Sequence, residues 1–224
     1  LSPDRASQRA TDLGFSRHTD KWQDVVNDPK VELISVCTPN NTHSEIAISA
    51  LQTGKHVWCE KPMSSSMEDS QKMAEASLNT NAKTIIGYNY TKNPIVIHAK
   101  EIIEKGIIGR VSGFFCRYDV DNEADGKKPW SWRMSKKLSG TGANGDILSH
   151  VISIAHYLTN SKISRVVGDI SIIHNKRIDP KNSGKTKEVD NDDMVSALVH
   201  FENGVHGHIA VSYTHLRAHE TRNY

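Results

Sequence analysis

Through about residue 90 the sequence alternates short apolar runs with helices that carry their own start and stop signals, and this constrains the fold most. Ser2 can cap a helix with Pro3 at its first position, Ala6, Ala10 and Leu13 on one face, and Gly14 as the stop. VELISVC (31–37) is a near-continuous apolar strand of the kind covered on both faces in a parallel sheet. Thr42 is placed to cap the next helix, whose Ile46, Ala47, Ala50 and Leu51 share a face before Gly54. A strand at 56–59 follows, then Ser65-x-x-Glu68 with capping-box spacing, then the strand TIIGY at 84–88. Strands and helices in strict turn predict a parallel α/β sheet.

The pattern then changes. Asn93-Pro94 opens a helix carrying Ile95, Ile102 and Ile103 and closed by Gly106, and a strand follows at about 110–120. A polar loop spans 121–145, and a helix from Asp146 shows Ile147, Val151, Ile154, Ala155 and Leu158 at helical spacing. Strands near 164–174 and 193–213 come next, the latter broken by the hairpin signal Glu202-Asn203-Gly204. The segment 175–192, NKRIDPKNSGKTKEVDND, reads as a mobile polar loop. The second half is therefore expected to be an α+β domain with an open, mainly antiparallel sheet and helices on one face.

Composition excludes several classes of function. The 224 residues suffice for one large domain or two small ones. With 28 Lys+Arg against 26 Asp+Glu, the signs are interspersed and no basic stripe suits nucleic acid. No run is long and apolar enough to suggest a membrane span. Cys37, Cys59 and Cys116 are odd in number and sit in apolar runs. They read as small buried hydrophobes in a reducing compartment, which points to the cytoplasm.

Two constellations carry chemistry. In an open parallel sheet, ligands sit beyond the carboxyl ends of the strands. Thr38-Pro39-Asn40-Asn41 and Glu60-Lys61-Pro62 both stand at such ends. Pro62 keeps Lys61 out of helical geometry and so gives its side chain a defined direction. Lys61 is then either a surface ion-pair partner or a group that holds a proton in a cleft. The second constellation is GTGANGDILSH (140–150), where Asp146 and His150 are four apart at a helix start and share a face. Gly140, Gly142 and Gly145 let a backbone pass close to a ligand. The pair admits two readings: an aspartate serving free helix N–H groups beside a core histidine, or a carboxylate that orients a general base.

Twelve histidines invite metal proposals, and His206-x-His208 places two imidazoles on one strand face. No acidic or Cys ligand completes a set there, so these are read as solvent-facing, and no metal site is assigned. His215 and His219 are helix-spaced without other support. Trp130-Ser-Trp132-Arg133 suits either packing or the face and hydroxyls of a sugar ring.

TPNNTH (38–43), GKHVWCEKPM (54–63), the GYNY run (87–90) with Pro94, IIEKGIIGRV (102–111) and GDILSH (145–150) occur in the order found in a known family. Together they resemble the Gfo/Idh/MocA oxidoreductases, which include inositol dehydrogenase and glucose–fructose oxidoreductase. The resemblance implies a partial Rossmann-type NAD(P)-binding domain at 1–90 and a C-terminal substrate and dimerisation domain at 91–212. NAD or NADP would lie over the first, with substrate between the domains and the longer protein a dimer or tetramer. Thr38, Pro39, Asn40, His43, Glu60, Lys61 and Asn89 match cofactor-binding positions. Lys61, Asp146 and His150 match the catalytic set, and Trp132 and Arg133 fall to the substrate. The Lys61–Pro62 bond is expected to be cis, as in many relatives.

The function implied is hydride transfer between nicotinamide and a secondary alcohol of a cyclitol, sugar or sugar derivative. The alternatives are a dinucleotide-binding, sugar-responsive regulator without turnover, or an inactive fragment. The family's first strand, its Gly-rich phosphate turn and its second strand come before the stretch that LSPDRA resembles, so the first βαβ elements are read as missing. THLRAHETRNY departs from the family pattern, and 213–224 is read as a non-native tail.

Overall fold

The computed structural model describes residues 2–182 and 184–214, and the chain divides into two compact units between Gly87 and Tyr88. The N-terminal unit opens with helices α1 (Pro3–Leu13) and α2 (Trp22–Asn27). The α1 signals work as expected: the Ser2 hydroxyl accepts from the Arg5 N–H, and Gly14 takes a left-handed conformation at φ 73°. Strands β1 (Leu33–Val36), β2 (His56–Cys59) and β3 (Thr84–Ile86) form a parallel sheet in that order. Between them run α3 (His43–Gln52) and α4 (Met67–Leu78). Ile34, Val36, Val57 and Cys59 pack with Ile46, Ala47, Ala50 and Leu51 of α3 into one core.

Three local expectations are corrected here. β1 alternates, with Leu33 and Ser35 exposed and Ile34 and Val36 buried, so among the described residues only one of its faces is covered. Thr42 does not cap α3, because its hydroxyl turns back to Thr38 Oγ1 and the Pro39 carbonyl, both at 2.7 Å. The cap of α4 is Ser66, not Ser65, and it accepts from the Asp69 N–H. Capping depends on which hydroxyl reaches a free N–H, and spacing alone locates that only to within a residue.

The C-terminal unit begins with a 3₁₀ turn at Asn89–Lys92 and α5 (Pro94–Glu104), capped by Asn93, whose side chain accepts from the Ile95 N–H. Next are β4 (Gly113–Asp119), a 3₁₀ turn at Trp132–Met134, the short α6 (Lys136–Ser139) and α7 (Ser149–Thr159). Strands β5 (Ile163–Ser171), β8 (Met194–Phe201) and β9 (His206–Ser212) join β4 in a sheet ordered β4-β9-β8-β5. β4 runs parallel to β9 and the other pairs are antiparallel. Val151 and Ala155 of α7 pack on Val195, Ala197, Val199, Ile209 and Val211, so one sheet face makes the core. The other face leaves Phe115, Val167 and Leu198 exposed.

The segment read as a mobile loop instead forms an antiparallel ribbon, β6 (Lys176–Ile178) with β7 (Thr186–Glu188). It is anchored by Arg177, only 2% exposed, whose guanidinium donates to the carbonyls of Asp125 and Glu123. Asn191, Asp192 and Asp193 are also buried. Tyr213, one residue past the expected end of the domain, is buried, and its backbone bonds to Asp193 and Glu123. The tail expectation from residue 215 on, His215 and His219 included, lies outside the described residues. Cys59 is buried and Cys116 half-buried, but Cys37, just past the end of β1, is exposed, against expectation. No helix among the described residues is long and apolar enough to cross a membrane.

Candidate active site

At the carboxyl edge of the N-terminal sheet, β1 leads into Thr38 and Pro39, both exposed, and half-buried Asn40. β2 delivers Glu60, Lys61 and Pro62, all half-buried, and the Lys61–Pro62 bond is cis. The Glu60 N–H donates to the Val36 carbonyl, which holds the strand end in the sheet. The Glu60 carboxylate accepts from the Lys61 N–H at 3.1 Å and lies over Gly87, where a Cβ would come within 3.3 Å of it. Such a loop fixes the start of the lysine side chain through its backbone. Burial pushes the neighbouring Cys59 thiol up to about 12, so it stays a neutral packing group.

His43 is 1% exposed. Its Nε2 lies 2.8 Å from the Thr38 carbonyl and its Nδ1 3.0 Å from that of Pro62. The imidazole therefore ties the two strand-end loops together, with both ring nitrogens turned to backbone rather than outward.

In the C-terminal unit the sequence pair stands on a special piece of helix. Asn144–Leu148 is a single π-helical turn that runs directly into α7, so Asp146 belongs to the wide turn and His150 to the first α-helical one. Turns of this kind recur at functional sites. His150 is 4% exposed, stacked on Tyr90 at 4.0 Å between ring centroids and edge-on to Tyr88 at 5.9 Å. Asp146 accepts a 2.5 Å hydrogen bond from the Tyr213 hydroxyl. Burial, and then the Asp146 carboxylate, push the Tyr213 phenol far up, so it stays a donor.

Asp146 and Tyr213 line a cavity of about 410 Å³, together with Lys128, Arg133, Asn191 and Asp192. The volume falls in the range of small-molecule sites and the wall is rich in polar groups. Arg133 is on that wall; the Trp132 ring lies under its guanidinium at 4.6 Å and is not itself among the lining residues. Trp130 donates its indole N–H to the Glu188 carbonyl and carries the Lys187 ammonium over its face. Asn89 is exposed in its 3₁₀ turn. His206 is exposed on β9, and His208 bonds the Ser196 hydroxyl at 2.9 Å.

Of the three glycines of 140–145, Gly142 is corrected in its role. What passes close to Gly142 is the chain's own backbone, since a Cβ there would lie 2.0 Å from the Asp192 carbonyl oxygen. Sequence reasoning also missed Tyr213, Asn191 and Asp192. The only signal was that the run VDNDDM stands directly before an alternating strand, where polar residues at the boundary can be buried.

A Rossmann-type parallel sheet followed by an open-sheet α/β unit with a polar pocket defines a class, the two-domain oxidoreductases. The description "Oxidoreductase family, NAD-binding Rossmann fold" matches residues 1–88, and "GFO/IDH/MocA C-terminal domain" matches residues 96–223. The chain belongs to the Gfo/Idh/MocA oxidoreductase family. It is 36% identical, over its whole length, to levoglucosan dehydrogenase of Pseudarthrobacter phenanthrenivorans, covering 59% of that protein. Over 97% of its length it is 27% identical to scyllo-inositol 2-dehydrogenase (NAD(+)) of Bacillus subtilis, again 59% of the relative. Among solved structures, levoglucosan dehydrogenase in complex with NADH and L-sorbose superposes with a TM-score of 0.93 at 37% identity, covering all of this chain and 58% of that one. The chain thus spans less than two thirds of the length of these relatives.

Proposed function

We propose that the protein is an NAD(P)-dependent oxidoreductase that moves a hydride between nicotinamide and a secondary alcohol of a sugar, cyclitol or sugar derivative. The observation that carries this is the polar cavity walled by Asp146, Tyr213 and Arg133, in a chain whose relatives are named for sugars and inositols. The residues of the N-terminal sheet edge fit the nicotinamide end of such a cofactor. Thr38, Pro39 and Asn40 would lie along it, and Glu60, over the bare Gly87, would face the ribose. When bound, the cofactor accepts or supplies the hydride; this chain's residues handle the proton and alignment. Lys61 stabilises negative charge on the reacting oxygen. His150 takes or returns the hydroxyl proton, and Asp146 holds the imidazole in its working orientation. Arg133 and Trp132 bind the remaining hydroxyls. The longer protein works as a homo-oligomer in the cytoplasm, and the exposed apolar face of the four-stranded sheet supports the oligomer.

The test is nicotinamide absorbance at 340 nm across a panel of sugars and polyols, with NAD and NADP, on wild type, Lys61→Ala and His150→Ala. Each substitution is expected to lower kcat on the order of 10²- to 10⁴-fold. Cofactor binding without reduction across the panel would instead favour a regulator, and turnover unaffected by either substitution would remove the roles assigned here.

A further inference from the structure

We infer that Asp192 is a positioning residue that sets the place of Asp146, by acting as a built-in anion in the Gly-rich turn before it. Gly140, Gly142 and Gly145 have the G-x-G-x-x-G spacing of turns whose backbone N–H groups hold a phosphate. Here the turn follows α6 rather than a strand, and its anion comes from the chain itself. Asp192 Oδ1 accepts from the Gly142 N–H at 3.0 Å and the Thr141 hydroxyl at 3.1 Å, and Oδ2 accepts from the Asn144 N–H at 2.6 Å. The Ala143 N–H donates to the Asp192 carbonyl at 2.9 Å. Four consecutive residues are thus fastened to one side chain and its own backbone.

The carboxylate is 8% exposed as part of its residue, and the donors that face it are those of a helix start, where free N–H groups favour negative charge. Glycine at 142 is required by the close approach of the Asp192 carbonyl. The consequence reaches Asp146 along two routes. The Asp146 N–H donates to the Gly142 carbonyl at 3.1 Å, inside the fastened turn. The other partner, Tyr213, has its own N–H on the Asp193 carbonyl at 2.9 Å. Adjacent residues 192 and 193 therefore set both ends of the 2.5 Å Tyr213–Asp146 bond. A third neighbour, Asn191, donates to the Arg133 carbonyl at 2.6 Å and so fixes another part of the cavity wall. The device needs no ligand: charge, glycine and register position the carboxylate in advance, as a preorganised site demands.

The assignment rests on the reading of Asp146 as part of the active site, and the experiment separates the two. Wild type, Asp192→Asn, Asp192→Glu and Asp146→Asn are compared by the ¹³Cζ resonance of Tyr213 in tyrosine-labelled protein, identified by its loss in Tyr213→Phe. Dehydrogenase kinetics are measured on the same set. Asp192→Asn keeps one oxygen but turns an NH₂ toward N–H donors. It is expected to shift the Tyr213 resonance toward that of Asp146→Asn, and to lower kcat on the order of 10- to 100-fold with little change in KM for the cofactor. A Tyr213 resonance and kcat at wild-type values, with only a lowered melting temperature, would reduce Asp192 to a stabilising cap and overturn the inference. Should Asp192→Asn lack a cooperative unfolding transition, Asp192→Glu decides instead, since it keeps the charge but moves the carboxylate one methylene away from the Gly142 and Asn144 N–H groups: a displaced resonance supports the inference and a wild-type one overturns it. If Asp146→Asn itself leaves turnover intact, the proposed function fails at that residue, while the resonance still judges whether Asp192 positions it.

Discussion

Tyr213→Phe is the most informative single change, because it deletes one oxygen and nothing else. The hydroxyl donates to Asp146 at 2.5 Å from a residue 8% exposed, so the bond is short, charge-assisted and shielded from water. Hydrogen bonds to charged groups contribute roughly 1.5–3 kcal/mol net, and a value near 2 is expected here. For a chain of this size that corresponds to a fall in Tm of about 4–8 °C, measurable by calorimetry. The pH dependence supplies a second, independent check. Burial and the Asp146 carboxylate raise the phenol in the folded state, so an unfolded chain releases this proton first, above about pH 10. The stabilisation is then fully present below that pH and is lost as pH rises further. The phenylalanine variant lacks this share of the loss, so the gap between it and wild type should narrow above pH 10. Tyr88, raised by burial, and Tyr90, raised to about 12 first by its bond to Tyr118, contribute equally to both proteins. A Tm change under about 1 °C, or a gap that stays constant into the alkaline range, would refute the reasoning.

Two further predictions address other parts of the chain. Burial, then Lys162, lowers the pKa of His156, whose Nε2 accepts from the Ile163 N–H. A lowered histidine contributes stability above about pH 6.5 that is lost as pH falls, so His156→Gln should flatten denaturation midpoints measured between about pH 6.5 and 5. In the N-terminal unit, the buried Lys55 ammonium donates to the carbonyls of Asp28 and Val31, both at 2.7 Å. Lys55→Met should cost roughly 3 kcal/mol in urea unfolding followed by a probe in that unit, and an unchanged midpoint would show that water replaces the ammonium.

What the sequence made legible was local. Ser2 with Gly14, Asn93 with Pro94, and the Gly204 turn act through neighbours a few residues away, and each stands where expected. The loops at Thr38 and Lys61 were equally readable, because strand ends in a parallel sheet have a fixed direction. The cap misses at Thr42 and Ser65 are off by a local bond or a single residue; the larger misses are long-range. Asp192 finds its turn 50 residues earlier, and Tyr213 finds Asp146 67 residues away. A run such as NKRIDPKNSGKTKEVDND reads as loop because periodicity registers apolar burial only. Arg177 and Asp192 are buried for their hydrogen bonds, and nothing in their immediate sequence announces the partners. β1 was misjudged for a related reason: an apolar run states what could be covered on both faces, not what covers it.

The π-helical turn at Asn144–Leu148 has a consequence for how such a site can change. A π turn holds one residue more than the α turn it replaces. Loss of a single codon there would restore regular helix and swing whatever precedes the junction by about 100° around the axis. Asp146 would leave Tyr213 without any substitution in either residue. The length of the chain at this one point, and not residue type alone, therefore decides whether Asp146 meets Tyr213.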